Sequence, residues 1–279
     1  MKRFIYLNVF IVSLLLLVSV KVSAYDFEVD GICYDVVSWD DMTCEVTFPI
    51  YFIYTGNIDI PDKVVYNERE FSVVRIGNDA FHRAEVESVS MGNSITVIEK
   101  TAFENCEQLK EVIMGGSVET IGDYAFSNCR QLKELVISNS VISIGRSCFD
   151  GAGLEKVVLG KSLENISSWA IGYNLNLVTI YSLNPQPPRI SDDTFHNVVY
   201  LNATLYVPQG SVDAYKNADY WKNFKIREID ATGIDNVQTS ENVTEVARYA
   251  IDGKRLSSPQ KGLNIVVMSD GSKRKVMVK

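Results

Sequence analysis

Histidine is almost missing from this chain: only His82 and His196 occur in 279 residues. The H-E-x-x-H, G-x-S-x-G and P-loop patterns are missing too. Zincin, nucleophile-elbow and phosphate-cradle chemistry therefore have no sequence footing. Basic charge is also short, with 27 Lys and Arg against 35 Asp and Glu and a net charge of −8. No basic stripe with interleaved aromatics is present, so nucleic acid is not expected as a partner. Proline is scarce at 7 residues, while 46% of the chain is hydrophobic. That composition can bury a large core. Cysteine numbers 5, an odd count that leaves at least one thiol unpaired within a chain.

Beyond residue 24 no apolar run is long enough to span a membrane. The one long run is at the N-terminus, "MKRFIYLNVFIVSLLLLVSVKVSA". Two basic residues, an apolar stretch and a Val22-Ser23-Ala24 ending read as an export leader cleaved before Tyr25. An uncleaved anchor helix is the competing reading. The chain is thus expected to be exported, to the medium or the outer cell surface, where disulfides persist. Cys33 and Cys44 lie in two strand-like runs that a hairpin near Ser38–Asp41 would bring together, so a disulfide between them is considered.

What the chain does have is repetition. "TAFENCEQL" at 101–109 returns as "YAFSNCRQL" at 124–132. Aligned on this phrase, Ile76, Ile98, Ile121, Ile144, Ile166 and Ile190 form one column, with spacings of 22, 23, 23, 22 and 24. Five residues after each comes a large apolar side chain: Phe81, Phe103, Phe126, Phe149, Ile171 and Phe195. A period of this size means a solenoid whose coils bury one another's apolar faces. Each Phe is expected to plug its coil, with a small residue before it for tight packing. Cys106 and Cys129 share one slot in neighbouring coils and read as small buried thiols.

Each unit also carries a short alternating run, such as "LKEVIM" and "LKELVI". Leu109, Val112 and Met114 are expected to point inward, as are Leu132, Leu135 and Ile137. The alternate residues then face outward in two columns. One reads Ser88, Glu111, Glu134, Lys156, Thr179 and Thr204. The other reads Ser90, Ile113, Val136, Val158, Tyr181 and Tyr206. The second is an apolar stripe, the kind of patch that marks an interaction site. It is also what β propensity alone would place on strands.

The pattern I-G-x-x-A-F-x-x-C-x-x-L-x-x-V-x-L-x-x-S-V resembles the BspA-type leucine-rich repeats of bacterial surface and secreted proteins. The resemblance implies an α/β repeat fold: about six coils over residues 76–207, with short parallel strands on a concave face. It implies an N-terminal β-hairpin cap over 25–75 and a capping helix over 208–230. Ser211 is read as that helix's N-cap, with Val212, Tyr215 and Trp221 over the open core. The unit at 166–189 departs from the pattern with Ile171 and the "NPQPP" break, which questions its helical side. Residues 231–279 form a β tail that resembles the sorting tails of type IX secretion substrates, through "DGK", "KGLNIVV" and a Lys-rich end.

Catalysis, metal ligation and a cofactor are not expected. His82 and His196 should stand roughly 25 Å apart by coil stacking. The acidic pairs Asp40–Asp41 and Asp192–Asp193 read as solvated loops. The expected function is binding of a protein or glycan at the cell surface through Glu111, Ile113, Glu134, Val136, Lys156, Val158, Thr179, Tyr181, Thr204 and Tyr206. An architectural role in a surface complex is the first alternative, and an enzyme with a cryptic site the second.

Overall fold

The computed structural model describes residues 25–229, 245–250, 255–256, 258, 260–268 and 273–278. The leader expectation at 1–24 and the linker at 231–240 lie outside the described residues. The N-terminal segment holds β1 (Phe27–Val29), β2 (Ile32–Ser38), β3 (Thr43–Val46), β4 (Thr55–Ile60), β5 (Lys63–Tyr66) and β6 (Arg69–Ile76). Long and short strands then alternate: β7 (Glu85–Met91), β8 (Val97–Ile98), β9 (Glu111–Ile113), β10 (Thr120–Ile121), β11 (Glu134–Val136), β12 (Ser143–Ile144), β13 (Lys156–Leu159), β14 (Asn165–Ile166) and β15 (Thr179–Ser182). After them come α1 (Asn197–Asn202), β16 (Thr204–Val207), α2 (Val212–Asn217), a 3-10 turn at Trp221–Asn223 and β17 (Lys225–Glu228). The last strands, β18 (Glu245–Ala250), β19 (Arg255–Leu256), β20 (Gly262–Met268) and β21 (Lys273–Val278), form an antiparallel sheet.

Each coil makes three passes. The long strands stack in parallel as β4-β7-β9 and as β11-β13-β15-β16-β17. Strands β9 and β11 lie side by side without a hydrogen-bond ladder. The short strands stack in parallel as β6-β8-β10-β12-β14. At one end the sheet runs on into β3, β2 and β1. The third pass is the turn that carries the Phe column.

That third pass was expected to be helical, and it is not. Alternate N–H groups bond across to the next coil, and those between them, such as His82 to Asp79 and Glu104 to Thr101, reach back only three residues in single turns. Phe81 N–H donates to the Ala102 carbonyl at 2.7 Å, and Phe103 donates to Ala125 at 2.7 Å. Phe126 donates to Cys148 at 2.7 Å, Phe149 to Ala170 at 2.8 Å and Ile171 to Thr194 at 3.0 Å. The turn also takes left-handed residues, such as Thr101 at φ 58° with Asn105 at 62°, and Tyr124 at 58° with Asn128 at 60°. Such residues cannot sit inside a right-handed helix. The unit that follows the "NPQPP" break keeps this pass, since Ile171 bridges to Phe195.

The core follows from the repeat. Phe81, Phe103, Phe126 and Phe149 are fully buried and stack face to face, with centroids 4.7, 4.9 and 5.3 Å apart. The first two steps match the spacing of neighbouring strands, about 4.7–4.9 Å, and the third is slightly wider. Tyr54 closes the N-terminal end of the stack at 4.6 Å from Phe81. Its hydroxyl donates to the Thr47 carbonyl and accepts from Cys33 N–H. Leu109, Val112, Met114, Leu132, Leu135 and Ile137 are buried as well. Burying a side chain of this size fully is worth about 1.5–3 kcal/mol.

The C-terminal end is closed by aromatic residues with satisfied polar tips. Trp221 Nε1–H donates to the Pro188 carbonyl at 2.7 Å. Tyr215 reaches Ser182 Oγ at 2.6 Å and the Asn184 carbonyl at 2.8 Å. Val212 packs against the core, partly buried. Ser211 occupies the N-cap position of α2 but its hydroxyl makes no capping bond. With φ −97° and ψ −6° its backbone is already helical. An N-cap needs extended backbone to aim its side chain at the first turn.

The cysteine expectation for the cap is corrected. Cys33 and Cys44 are buried free thiols. Tyr34 pairs with Val46 and Val36 with Cys44 in the β2–β3 register. Cys33 is therefore three residues out of step with the partner of Cys44, an odd offset that turns the two side chains to opposite faces.

Candidate functional site

The long-strand face, expected to be concave, brings the outward columns into register. Ser88 pairs with Glu111 and Ser90 with Ile113. Past the gap between β9 and β11, Glu134 pairs with Lys156 and Val136 with Val158. Lys156 pairs with Thr179 and Val158 with Tyr181. Thr179 and Tyr181 then pair with Thr204 and Tyr206. Parallel stacking puts every member of a column on the same face, because side chains alternate with a period of two.

The polar column is a run of exposed charge and half-buried hydroxyls. Lys156 Nζ sits 3.1 Å from Glu134 Oε2, and Glu111 is exposed. In the apolar column Ile113 is 41% exposed, and Val136, Tyr181 and Tyr206 are half-buried. The Tyr181 and Tyr206 rings stack at 4.9 Å and 19°. Val158 is corrected: it is 1% exposed and offers no contact surface. Its register neighbours are Val136 and the much larger Tyr181, between which a short valine side chain is covered.

The columns run further than the sequence reading carried them. Thr204 pairs with Lys225 and Tyr206 with Arg227, which adds two exposed cations at the C-terminal end. Asn57 and Asp59 pair with Ser88 and Ser90 at the other end. Ser88 Oγ donates to Asn57 Oδ1 at 2.8 Å, and Ser90 Oγ donates to Asp59 Oδ1. The alternation in "KIRE" at 225–228, just after the capping turn, was the available signal. The face thus grades from acidic at Asp59, Glu111 and Glu134, through an apolar middle, to basic at Lys225 and Arg227. Ion pairs between coils, Lys110–Glu87 at 2.8 Å and Lys133–Glu155 at 3.0 Å, lie beside it.

The residues with reactive chemistry stand apart from one another. His82 lies 3.3 Å from Glu104, and His196 accepts from Val198 N–H as the N-cap of α1. Asp41 accepts a hydrogen bond from Ser38 in a turn, and Asp193 accepts one from Ser191. Among the described residues no group of three His, Cys, Asp or Glu is placed to hold a metal. Burial pushes the Cys44 and Cys106 thiols up to about 12 and raises Cys33, Cys129 and Cys148 as well. Cys106 and Cys129 donate to the Phe81 and Phe103 carbonyls at 2.9 and 3.2 Å. Protonated, buried and bonded, these thiols serve the core. The face itself can offer apolar contact, ring edges, hydroxyls and charge.

Stacked coils with parallel strands on one side and a recurrent aromatic plug on another define a leucine-rich repeat solenoid. More narrowly, six copies of the BspA type leucine rich repeat region match residues 72–202, and this part of the chain belongs to that family. No curated protein matches the chain. Among solved structures it is similar to the leucine-rich repeat protein of T. pallidum, at 20% identity over 72% of this chain and 98% of that one, with a TM-score of 0.50. That likeness is one of fold. It is also similar to a leucine-rich repeat protein from Bacteroides capillosus, at 27% identity over 47% of this chain and 95% of that one, TM-score 0.40. A leucine rich cell surface protein from Faecalibacterium prausnitzii aligns at 17% identity over 88% of this chain and 59% of its own length, TM-score 0.46. Among the described residues no helix is long and apolar enough to cross a membrane.

Proposed function

We propose that this is an exported, non-catalytic repeat protein that binds a protein or glycan partner at the cell surface through its long-strand face. One observation carries the reading. Ile113, Val136, Tyr181 and Tyr206 stay at least partly open on a face whose neighbouring column is polar and charged. Tyrosine suits such partly wet contacts, with an apolar ring body and a hydrogen-bonding tip. Glu111, Glu134, Lys156, Thr179 and Thr204 would set orientation beside that stripe. The leader-like sequence pattern of residues 1–24 supports export. We read residues 25–75 as a cap, 76–207 as the repeats and 208–230 as the second cap. Residues 231–279 are proposed as a sorting tail, and deleting them should leave the chain inside the cell envelope.

The test is a screen of the exported chain against glycans, extracellular-matrix proteins and bacterial surface extracts. It runs beside an Ile113→Glu, Tyr206→Ala variant shown to be folded by circular dichroism. A ligand lost in the variant supports the reading. A ligand held equally by both moves the site to the caps or the tail. No ligand at all would favour the architectural role.

A further inference from the structure

The two ends of the long-strand column are finished differently. At the C-terminal end β17 presents exposed Lys225, Arg227 and Glu228. Charged edge strands resist pairing with another chain. At the N-terminal end β4 is the outermost strand of its sheet. It carries one charge, Asp59, and neither Lys nor Pro within its six residues. The Tyr54 and Ile60 carbonyls accept from Glu85 and Gly92 N–H at 2.9 and 2.8 Å. The alternate residues Thr55, Asn57 and Asp59 therefore aim their backbone groups away from β7.

The segment just before β4 carries a cluster of exposed large apolar side chains. Phe48, Ile50, Tyr51, Phe52 and Ile53 are 46, 45, 80, 40 and 54% exposed. With Ala80, Phe81 and Ala84 the loop shapes an apolar groove of about 250 Å³. No charged residue occurs from 46 to 58, in a chain of net charge −8. An open strand edge beside an apolar shelf fits an extended polypeptide, since lipid cannot satisfy backbone donors and acceptors.

We propose that this end is a self-association surface, where β4 pairs antiparallel with β4 of a second copy and the 48–53 loop packs across the junction. Antiparallel pairing of a strand with its own copy requires both partners of each pair to share a face. Pairing Ile58 with Ile58 meets this condition and places Asn57 opposite Asp59 of the second copy. The amide can then donate to the carboxylate, and no two carboxylates face each other. The same patch meets itself, so the contact closes as a two-fold dimer. The charged β17 edge does not offer a route to a fibre. Pairing at β4 would also join the two long-strand faces into one surface of doubled length.

Sedimentation of the exported chain tests this, with Tyr51→Glu, Ile53→Glu as one variant and Ile58→Cys as another. Both loop side chains are more than half exposed, so their replacement leaves the fold intact, which a thermal melt checks. The wild type should dimerise, more tightly as salt screens the like-charged copies. The loop variant should weaken the dimer at least about tenfold. Ile58→Cys should give a covalent dimer on oxidation, because opposed residues in such a pair approach within disulfide reach. A monomer at every concentration overturns the proposal. So does a dimer that is unchanged in the loop variant or that gives no covalent product at residue 58.

Discussion

Phe103 and Phe126 lie face to face, with ring centroids 4.9 Å apart and planes within 7° of parallel. The centroid spacing exceeds ring contact of about 3.5 Å, so the rings are offset, the arrangement aromatic pairs prefer. Their separation is that of two stacked coils. The 23-residue repeat and the aromatic contact are one constraint seen twice.

Phe126→Ala should therefore cost about 3–5 kcal/mol, since it leaves a hole between two rings as well as losing burial. Phe126→Leu should cost clearly less. Urea unfolding of the two variants checks the order, and equal losses would mean that the stack adds nothing beyond bulk.

Gly115 sits at a close approach between coils, and its neighbour Gly116 does not. A Cβ on Gly115 would stand 2.1 Å from the Gly92 carbonyl oxygen, whereas one on Gly116 would meet only Asn93 Oδ1 at 3.5 Å. Gly115→Ala should destabilise by about 1–3 kcal/mol or more, because one backbone must move away from another. Gly116→Ala should be near neutral. Thermal melting of the two alanine variants gives the comparison.

The buried thiols predict a pH limit. Their folded values lie above the ordinary 9.0, up to about 12 for Cys44 and Cys106. The folded chain thus holds protons that the unfolded chain releases. This contribution is complete below pH 9 and drains away as pH rises through about 12. Denaturant midpoints should fall across that window, and replacing Cys129 with Ala should flatten the fall. Thiol alkylation at neutral pH should label none of the five cysteines until the chain unfolds.

The Glu134–Lys156 pair should matter little for folding. Both side chains are substantially exposed, at 67 and 31%. Removing either should change stability by about 0.2–1 kcal/mol at most. A larger loss in a denaturation experiment would mean that the polar column is structural rather than a contact surface.

The coil spacing, the Phe column and the inward positions were legible because they repeat: Phe81, Phe103, Phe126 and Phe149 recur in step with the isoleucines. The turn side was not. Asp79, Thr101, Tyr124, Ser147 and Trp169 all take left-handed backbone, yet only the first is a residue type that favours it. Hydrogen bonds to the neighbouring coil hold them there, and local preference carries no trace of such bonds. Val158 looked like its column mates in sequence, and only its neighbours' sizes decide its burial. The Cys33–Cys44 pairing failed on register, which a hairpin turn sets beyond what two alternating runs reveal. The face's two ends, Asn57 with Asp59 and Lys225 with Arg227, sit in strands outside the repeat pattern.

The most direct measurement is hydrogen exchange of the exported chain with and without the ligand that the screen returns. Binding through the long-strand face should slow exchange in β9, β11, β15 and β16. Protection confined to the cap strands β1–β3, or to the Phe-bearing turns, with those four strands unchanged, would contradict it.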